Sequence, residues 1–305
     1  MTSPNKTLVY IAMFTLACVW AFDYVVAKTA LQVFTPLSLV FFKYLLGLCV
    51  VFTVKCLRDR HFPFSLRDLP LFLSCSLCGE ILAFSCEYRA IIFLPVSLVT
   101  IILAFVPVIS ILVERVLYMK RLSAPLVLSV LVCTGGVFMV VGADLHLLFE
   151  GRLLGYLLAF GAVLAWNIYN FLTVGLTRRY SAVTLTMYQL ICTCLLTLPA
   201  MLMNLPDSSA ITTAVILEVV YLGVVSAGAG FLVYVWSIGI IGATPCALFS
   251  NITPVAATIL GWLLLDEMIG PVQIVGGIAV IAAGSAALLL KERQEQLPAA
   301  TPPPS

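Results

Sequence analysis

Long apolar runs, broken at intervals by proline, glycine and clusters of charge, set the pattern of this chain. A helix crossing a bilayer takes about 20 apolar residues at about 1.5 Å each. Ten runs meet that length, at roughly 8–29, 37–57, 69–88, 96–117, 124–142, 153–174, 183–203, 212–236, 245–265 and 272–290. The pattern therefore predicts an all-α integral membrane protein with ten transmembrane helices, and a lipid bilayer as its surroundings. The first run exceeds a signal-peptide core and is not followed by a small-residue cleavage site, so it is read as a retained span. Connections are short throughout. The stretch 294–305, ending Leu-Pro-Ala-Ala-Thr-Pro-Pro-Pro-Ser, reads as a disordered tail.

The module is written twice. Ala17-Cys18-Val19-Trp20 opens one hydrophobic segment and Val163-Leu164-Ala165-Trp166 another, while Pro107 and Pro254 fall at corresponding points. A duplication on this scale in an apolar chain points to a transporter built from two halves, 1–147 and 148–293. Five helices per half is an odd number, so the second half enters the membrane from the opposite face. The expected architecture is two inverted five-helix repeats with a site between them. Basic residues set the orientation. Placing both termini in the cytoplasm puts Lys6, Lys55, Arg58, Arg60, Arg67, Lys120, Arg121, Arg178, Arg179, Lys291 and Arg293 on that side, against Lys28, Arg89 and Arg152 on the other.

Composition agrees with this. Of 305 residues, 62% are hydrophobic and 10% charged, whereas soluble domains carry about 25% charged residues. The net charge of +2 gives no support for nucleic-acid binding. Most of the ten cysteines lie within apolar runs and read as small packing residues; Cys75-Ser-Leu-Cys78 has redox spacing without a βαβ context. His61 and His146 are too few for a metal site, and no cofactor is expected. No GxxxxGK[ST] motif is present, so ATP bound by this chain is not the energy source, and no HExxH or Ser/Cys-base constellation suggests an enzyme. A homodimer is the one protein partnership entertained.

An ionisable side chain within a span costs roughly 2.5–3.5 kcal/mol on insertion scales and is a functional hypothesis by default. Asp23, Lys43 and Glu80 qualify. Asp23 and Lys43 fall at similar depth on helices 1 and 2 and can pair, either as a static tie between helices or as part of a site for a zwitterionic or charged substrate. Glu80, near mid-membrane in helix 3, is a candidate proton carrier or a packing group. Glu87, Arg89, Glu114, Arg115, Glu218, Asp266 and Glu267 lie near predicted helix ends and read as interfacial anchors or local salt bridges. Helices 1 and 6 each carry a polar and aromatic stripe, Trp20, Asp23, Tyr24 and Ala27 in one and Trp166, Asn167, Tyr169 and Asn170 in the other. Under the repeat offset, Asn170 and Gln189 stand where the first half has Tyr24 and Lys43. Such stripes serve as interhelical glue or as a cavity lining. Pro95, Pro107, Pro245 and Pro254 break helices 4 and 9, where Ser97, Thr100, Thr244, Ser250, Asn251 and Thr253 offer polar contacts.

Several of these residues carry a resemblance. Trp20 to Lys28 followed by Thr35-Pro36-Leu37, Tyr88-Arg89-Ala90 leading into Pro95-Val96-Ser97, and Phe105-Val106-Pro107-Val108 recur in an order seen in EamA-type transporters of the drug/metabolite transporter superfamily. Ile252-Thr253-Pro254-Val255, Leu264-Leu265-Asp266-Glu267 and Gly276-Gly277 continue it. The chain resembles that family over essentially its whole length. The resemblance implies ten helices, cytoplasmic termini, a central cavity lined by both halves, and export of amino acids, other metabolites or toxic compounds. Three positions depart from the family pattern. Ala21 stands where a Gly often follows the Trp, Lys43 replaces an Arg, and Lys120 occupies the first-half place of the Glu matching Glu267.

The sequence-based expectation is a secondary-active or facilitative exporter of small polar metabolites, working by alternating access in the cell membrane. Its site candidates are Trp20, Asp23, Tyr24, Lys43, Glu80, Trp166, Tyr169, Asn170, Gln189 and Asn251. Two rivals stand beside it: a nucleotide-sugar or triose-phosphate type antiporter, which needs converging cations, and a non-transporting receptor or scaffold.

Overall fold

The computed structural model describes residues 6–58, 60–106, 108–110, 112–113, 123–142, 153–241, 246, 249 and 252–296. The expectations placed on Pro107, Glu114, Arg115, Lys120, Arg121, His146, Arg152, Thr244, Pro245, Ser250 and Asn251 lie outside those residues.

Among the described residues the chain is helical, without strands. In order come α1 (Lys6–Ala30), α2 (Pro36–Arg58), α3 (Leu66–Phe93), α4 (Val96–Leu103) and α5 (Ala124–Gly142). The sequence then repeats as α6 (Leu153–Thr177), α7 (Ala182–Met203), α8 (Thr213–Ile241), α9 (Ile252–Leu265) and α10 (Pro271–Gln296). Six of these, α1, α2, α3, α6, α7 and α8, are long and apolar enough to cross a membrane, and α4, α5, α9 and α10 add shorter apolar stretches. The protein is a multi-pass integral membrane protein.

Local chemistry explains the boundaries. Ser181 accepts the Thr184 amide at the start of α7 (3.3 Å), and Thr212 does the same for Val215 at the start of α8 (3.4 Å). Leu94, extended before Pro95, ends α3. This end lies five residues beyond the sequence-predicted one, which matters for Glu87 below. The last helix runs to Gln296, so Gln294–Gln296, read as the start of the tail, are helical.

Polarity is inside out relative to a soluble protein. Leu128, Leu131, Leu157, Leu164 and Ile278 are exposed, while Asp23, Lys43, Glu80, Asn167 and Gln189 are buried. Lipid replaces water outside, so apolar residues face outward and polar groups must find partners within. The main packing partners cross from the first set of helices to the second: α1 with α9, α2 with α7 and α8, α3 with α6, and α5 with α10.

Two matched distortions stand out. A π-helical stretch, Ser76–Ala83, interrupts α3, and another, Tyr221–Gly230, interrupts α8. Both lie where backbones crowd. A Cβ at Gly79 would lie 2.3 Å from Tyr169 Cδ2, and one at Gly223 would lie 2.4 Å from Leu46 Cβ. Only glycine admits the α3–α6 and α8–α2 approaches at these points. π-Helical segments within α-helices are often found at functional sites.

Candidate functional site

A cavity opens where both sets of helices meet. α1 contributes Trp20, Asp23 and Tyr24, α3 contributes Phe84 and Glu87, and α4 contributes Thr100 and Leu103, with Val106 just beyond its end. From the second set come Trp166 on α6 and Thr253 and Pro254 on α9. The space is about 620 Å³, counting that at its mouth. Trp20 and Trp166, equivalent under the repeat, meet edge to face at 6.1 Å, and Tyr234 lies 5.2 Å from Trp20 and 5.6 Å from Trp166.

A charged network forms one wall. Lys43 Nζ donates to both carboxylate oxygens of Asp23 at 3.1 Å and to the Tyr88 hydroxyl at 3.0 Å. The ammonium also sits 4.2 Å from the centre of the Phe84 ring, an orientation that ring quadrupoles favour. Neither charge reaches solvent appreciably: Lys43 is 0% and Asp23 2% exposed. Tyr24 donates its hydroxyl to Glu87 Oε2 at 3.2 Å. Glu87 is 5% exposed, and no cation bonds to it among the described residues. The wall thus carries two carboxylates and one ammonium, and that ammonium is committed to Asp23.

The sequence candidates divide. Trp20, Asp23, Tyr24 and Trp166 line the cavity, and Lys43 touches it through Asp23. Asn170 instead accepts the Tyr234 hydroxyl (2.9 Å), and Gln189 donates to Thr173 (3.3 Å). Tyr169 meets Trp166 in a tilted pair at 4.9 Å, packs over Gly79 and is not part of the lining. Glu80 is fully buried and outside the lining. Asn167, in the same stripe, serves the break in α4: its amide donates to the Val106 carbonyl at 3.3 Å, and it accepts a hydrogen bond from Ser110. That meets the demand that backbone freed in a membrane find a partner.

Two residues read as interfacial anchors are interior. Glu87 lines the cavity because α3 continues to Phe93 and lifts the helix end past it. Glu267 forms a clasp: Oε1 accepts Lys28 Nζ (2.6 Å) and the Val96 amide (3.0 Å), and Oε2 accepts the Ser97 amide (3.3 Å) and hydroxyl (3.1 Å). One carboxylate thus joins the end of α1, the N-terminus of α4 and the end of α9, where helix-end amides favour an anion. Asp266 makes this possible at φ 53°, a left-handed conformation that aspartate tolerates, and Gly261 leaves room for the folded-back carboxylate. At the start of α3, Asp68 accepts Arg179 (2.5 Å) and Tyr180 (2.8 Å) from beyond the end of α6, a tie the sequence reading did not find.

Comparison with known proteins adds the following. The model of the EamA-like transporter family matches twice, over residues 7–142 and 153–290. A protein of Streptantibioticus cattleyicolor named as a terminal-alkyne amino-acid exporter is 22% identical over 233 residues, 75% of this chain and 74% of that protein. YdzE of Bacillus subtilis (strain 168), named as permease-like, is 31% identical over 77 residues, 25% of this chain and 96% of that protein. A solved protein crystal structure at 19% identity superposes with a TM-score of 0.67 over 95% of this chain and 100% of that one, a likeness of fold.

Proposed function

Because this chain belongs to the EamA-like transporter family and is a membrane transporter rather than an enzyme, we propose that it exports small α-amino acids with compact apolar side chains through the cavity between its halves. The observation that carries this reading is Glu87, a cavity carboxylate to which no cation bonds among the described residues, beside the Asp23–Lys43 pair and among aromatic walls. An ammonium group supplies the missing counter-charge at Glu87, and the faces of Trp20, Tyr24, Phe84 and Trp166 add cation–π and apolar contact. A substrate carboxylate recruits Lys43 from Asp23. The exporter named for a terminal-alkyne amino acid supports the same class, since such a molecule joins a zwitterionic head to a small apolar tail.

The proposed architecture is ten spans, α1 to α10, as two five-helix repeats over 1–147 and 148–293, inverted about an axis in the membrane plane with both termini cytoplasmic. The two family matches and the meeting of Trp20 with Trp166 support it. Alternating access then requires the halves to rock about the cavity, and the Glu267 clasp is a contact between halves that such rocking must break. An antiporter of sugar nucleotides or triose phosphates is disfavoured, because the lining offers two carboxylates to an anion and Lys43, the cation bonded to that wall, is already paired with Asp23.

Thermal melting of purified protein tests the substrate class. Millimolar L-norvaline or L-propargylglycine should raise the melting temperature, whereas the matching des-amino acids should not. Equal stabilisation by the des-amino compounds would remove Glu87 as an ammonium site.

A further inference from the structure

Glu80 is a buried carboxyl that the cavity does not use. It sits in the π-helical stretch of α3, fully buried, and among the described residues neither of its carboxyl oxygens has a hydrogen-bond partner from another residue. This segment packs against α6, α7 and α2. The titratable groups within electrostatic reach of Glu80 are Tyr44 from α2, Tyr169 from α6 and Cys192 from α7, with Cys75 and Cys78 on its own helix. None of these carries a positive charge. Lys43, the α2 cation next to Tyr44, is bound to Asp23 and Tyr88, and the other α2 cations, Lys55 and Arg58, lie in its last turn. Among the described residues the Tyr44 hydroxyl and the Gln189 side-chain oxygen Oε1 are likewise buried without partners. A set of unmet polar groups around one acid is a costly arrangement for a merely structural role.

Position adds the second argument. Phe84, one turn along α3 from Glu80, lines the cavity and lies 6.1 Å from Trp166, which meets Tyr169. Tyr169 in turn covers Gly79, the neighbour of Glu80. An aromatic layer therefore separates the acid from the cavity, and the acid faces helices of the opposite half. A charge gained or lost there changes how well α3 fits against α6 and α7. At the corresponding place in α8 the chain has the uncharged Ser226-Ala227.

From this we infer that Glu80 is a proton-binding site distinct from the substrate cavity, taking up and releasing one proton as the halves change their packing. Substrate and proton then do not compete for a carboxylate; each biases the same rearrangement from its own site. The inference rests on the chain being a transporter and not on which substrate it carries.

Infrared difference spectroscopy of the full chain in lipid nanodiscs, stepped between about pH 5 and about pH 9 to cover displaced carboxyl titrations, tests this without any substrate. The wild-type protein should show one carboxyl C=O band that titrates, with tryptophan emission changing in step, because Trp166 reports on the aromatic layer. The band should disappear in Glu80→Gln, persist in Glu87→Gln and shift in Glu80→Asp. The inference is overturned if no such band titrates in the wild type, if Glu80→Gln retains it, or if Glu80→Asp leaves it unmoved.

Discussion

Asp23→Asn should destabilise the protein by about 3–5 kcal/mol, because it leaves the buried Lys43 ammonium without the carboxylate it is bonded to, with the Tyr88 hydroxyl and the rings of Phe84, Tyr44 and Tyr88 around it. Lys43→Met should cost a similar amount by stranding Asp23. The double variant Asp23→Asn/Lys43→Met should recover most of the loss, since removing both buried charges is often close to neutral. Denaturation of purified protein in detergent measures all three. Transport then separates the roles open to the pair. A static tie between α1 and α2 predicts that the double variant regains flux with its stability. A pair that hands Lys43 to the substrate predicts a stable protein with flux still lost, and this is the outcome expected here.

Glu87→Gln should lower transport of amine-bearing substrates by about 10- to 100-fold, the equivalent of losing one charge-assisted hydrogen bond worth about 1.5–3 kcal/mol. Folding should hardly change. The glutamine carbonyl can still accept the Tyr24 hydroxyl, and among the described residues no cation bonds to the carboxylate it replaces. Tyr24→Phe, which removes only the orienting donor, should fall between wild type and Glu87→Gln. Uptake by proteoliposomes carrying equal amounts of each protein gives the comparison.

Asp23 and Lys43 were legible in the sequence because two charges at matching depth on adjacent antiparallel helices have few alternatives to pairing. Depth also misled. The third apolar run, read as 69–88, puts Glu87 near a helix end, yet the apolar stretch Ala90–Phe93 continues the helix, and Pro95 rather than Arg89 stops it. Those four residues were the available signal. Glu267 shows a different limit. Its partners come from three helices far apart in the chain, and nothing local distinguishes a clasp from an anchor. Pattern alone also could not divide the α6 stripe, in which Trp166 faces the cavity while Asn167, Tyr169 and Asn170 meet the α4 break, α3 and α8. The α6 stripe is polar and aromatic throughout and buried or half-buried, and only the neighbouring helices determine which of its residues meets open space.

The most direct measurement of the central claim is counterflow in proteoliposomes preloaded with L-norvaline, following entry of labelled L-norvaline with and without competing external compounds. The account predicts rapid labelled entry, inhibition by L-propargylglycine but not by pentanoate, and loss of entry in Glu87→Gln. Entry that pentanoate inhibits as well as L-propargylglycine does, or that survives intact in Glu87→Gln, would contradict it.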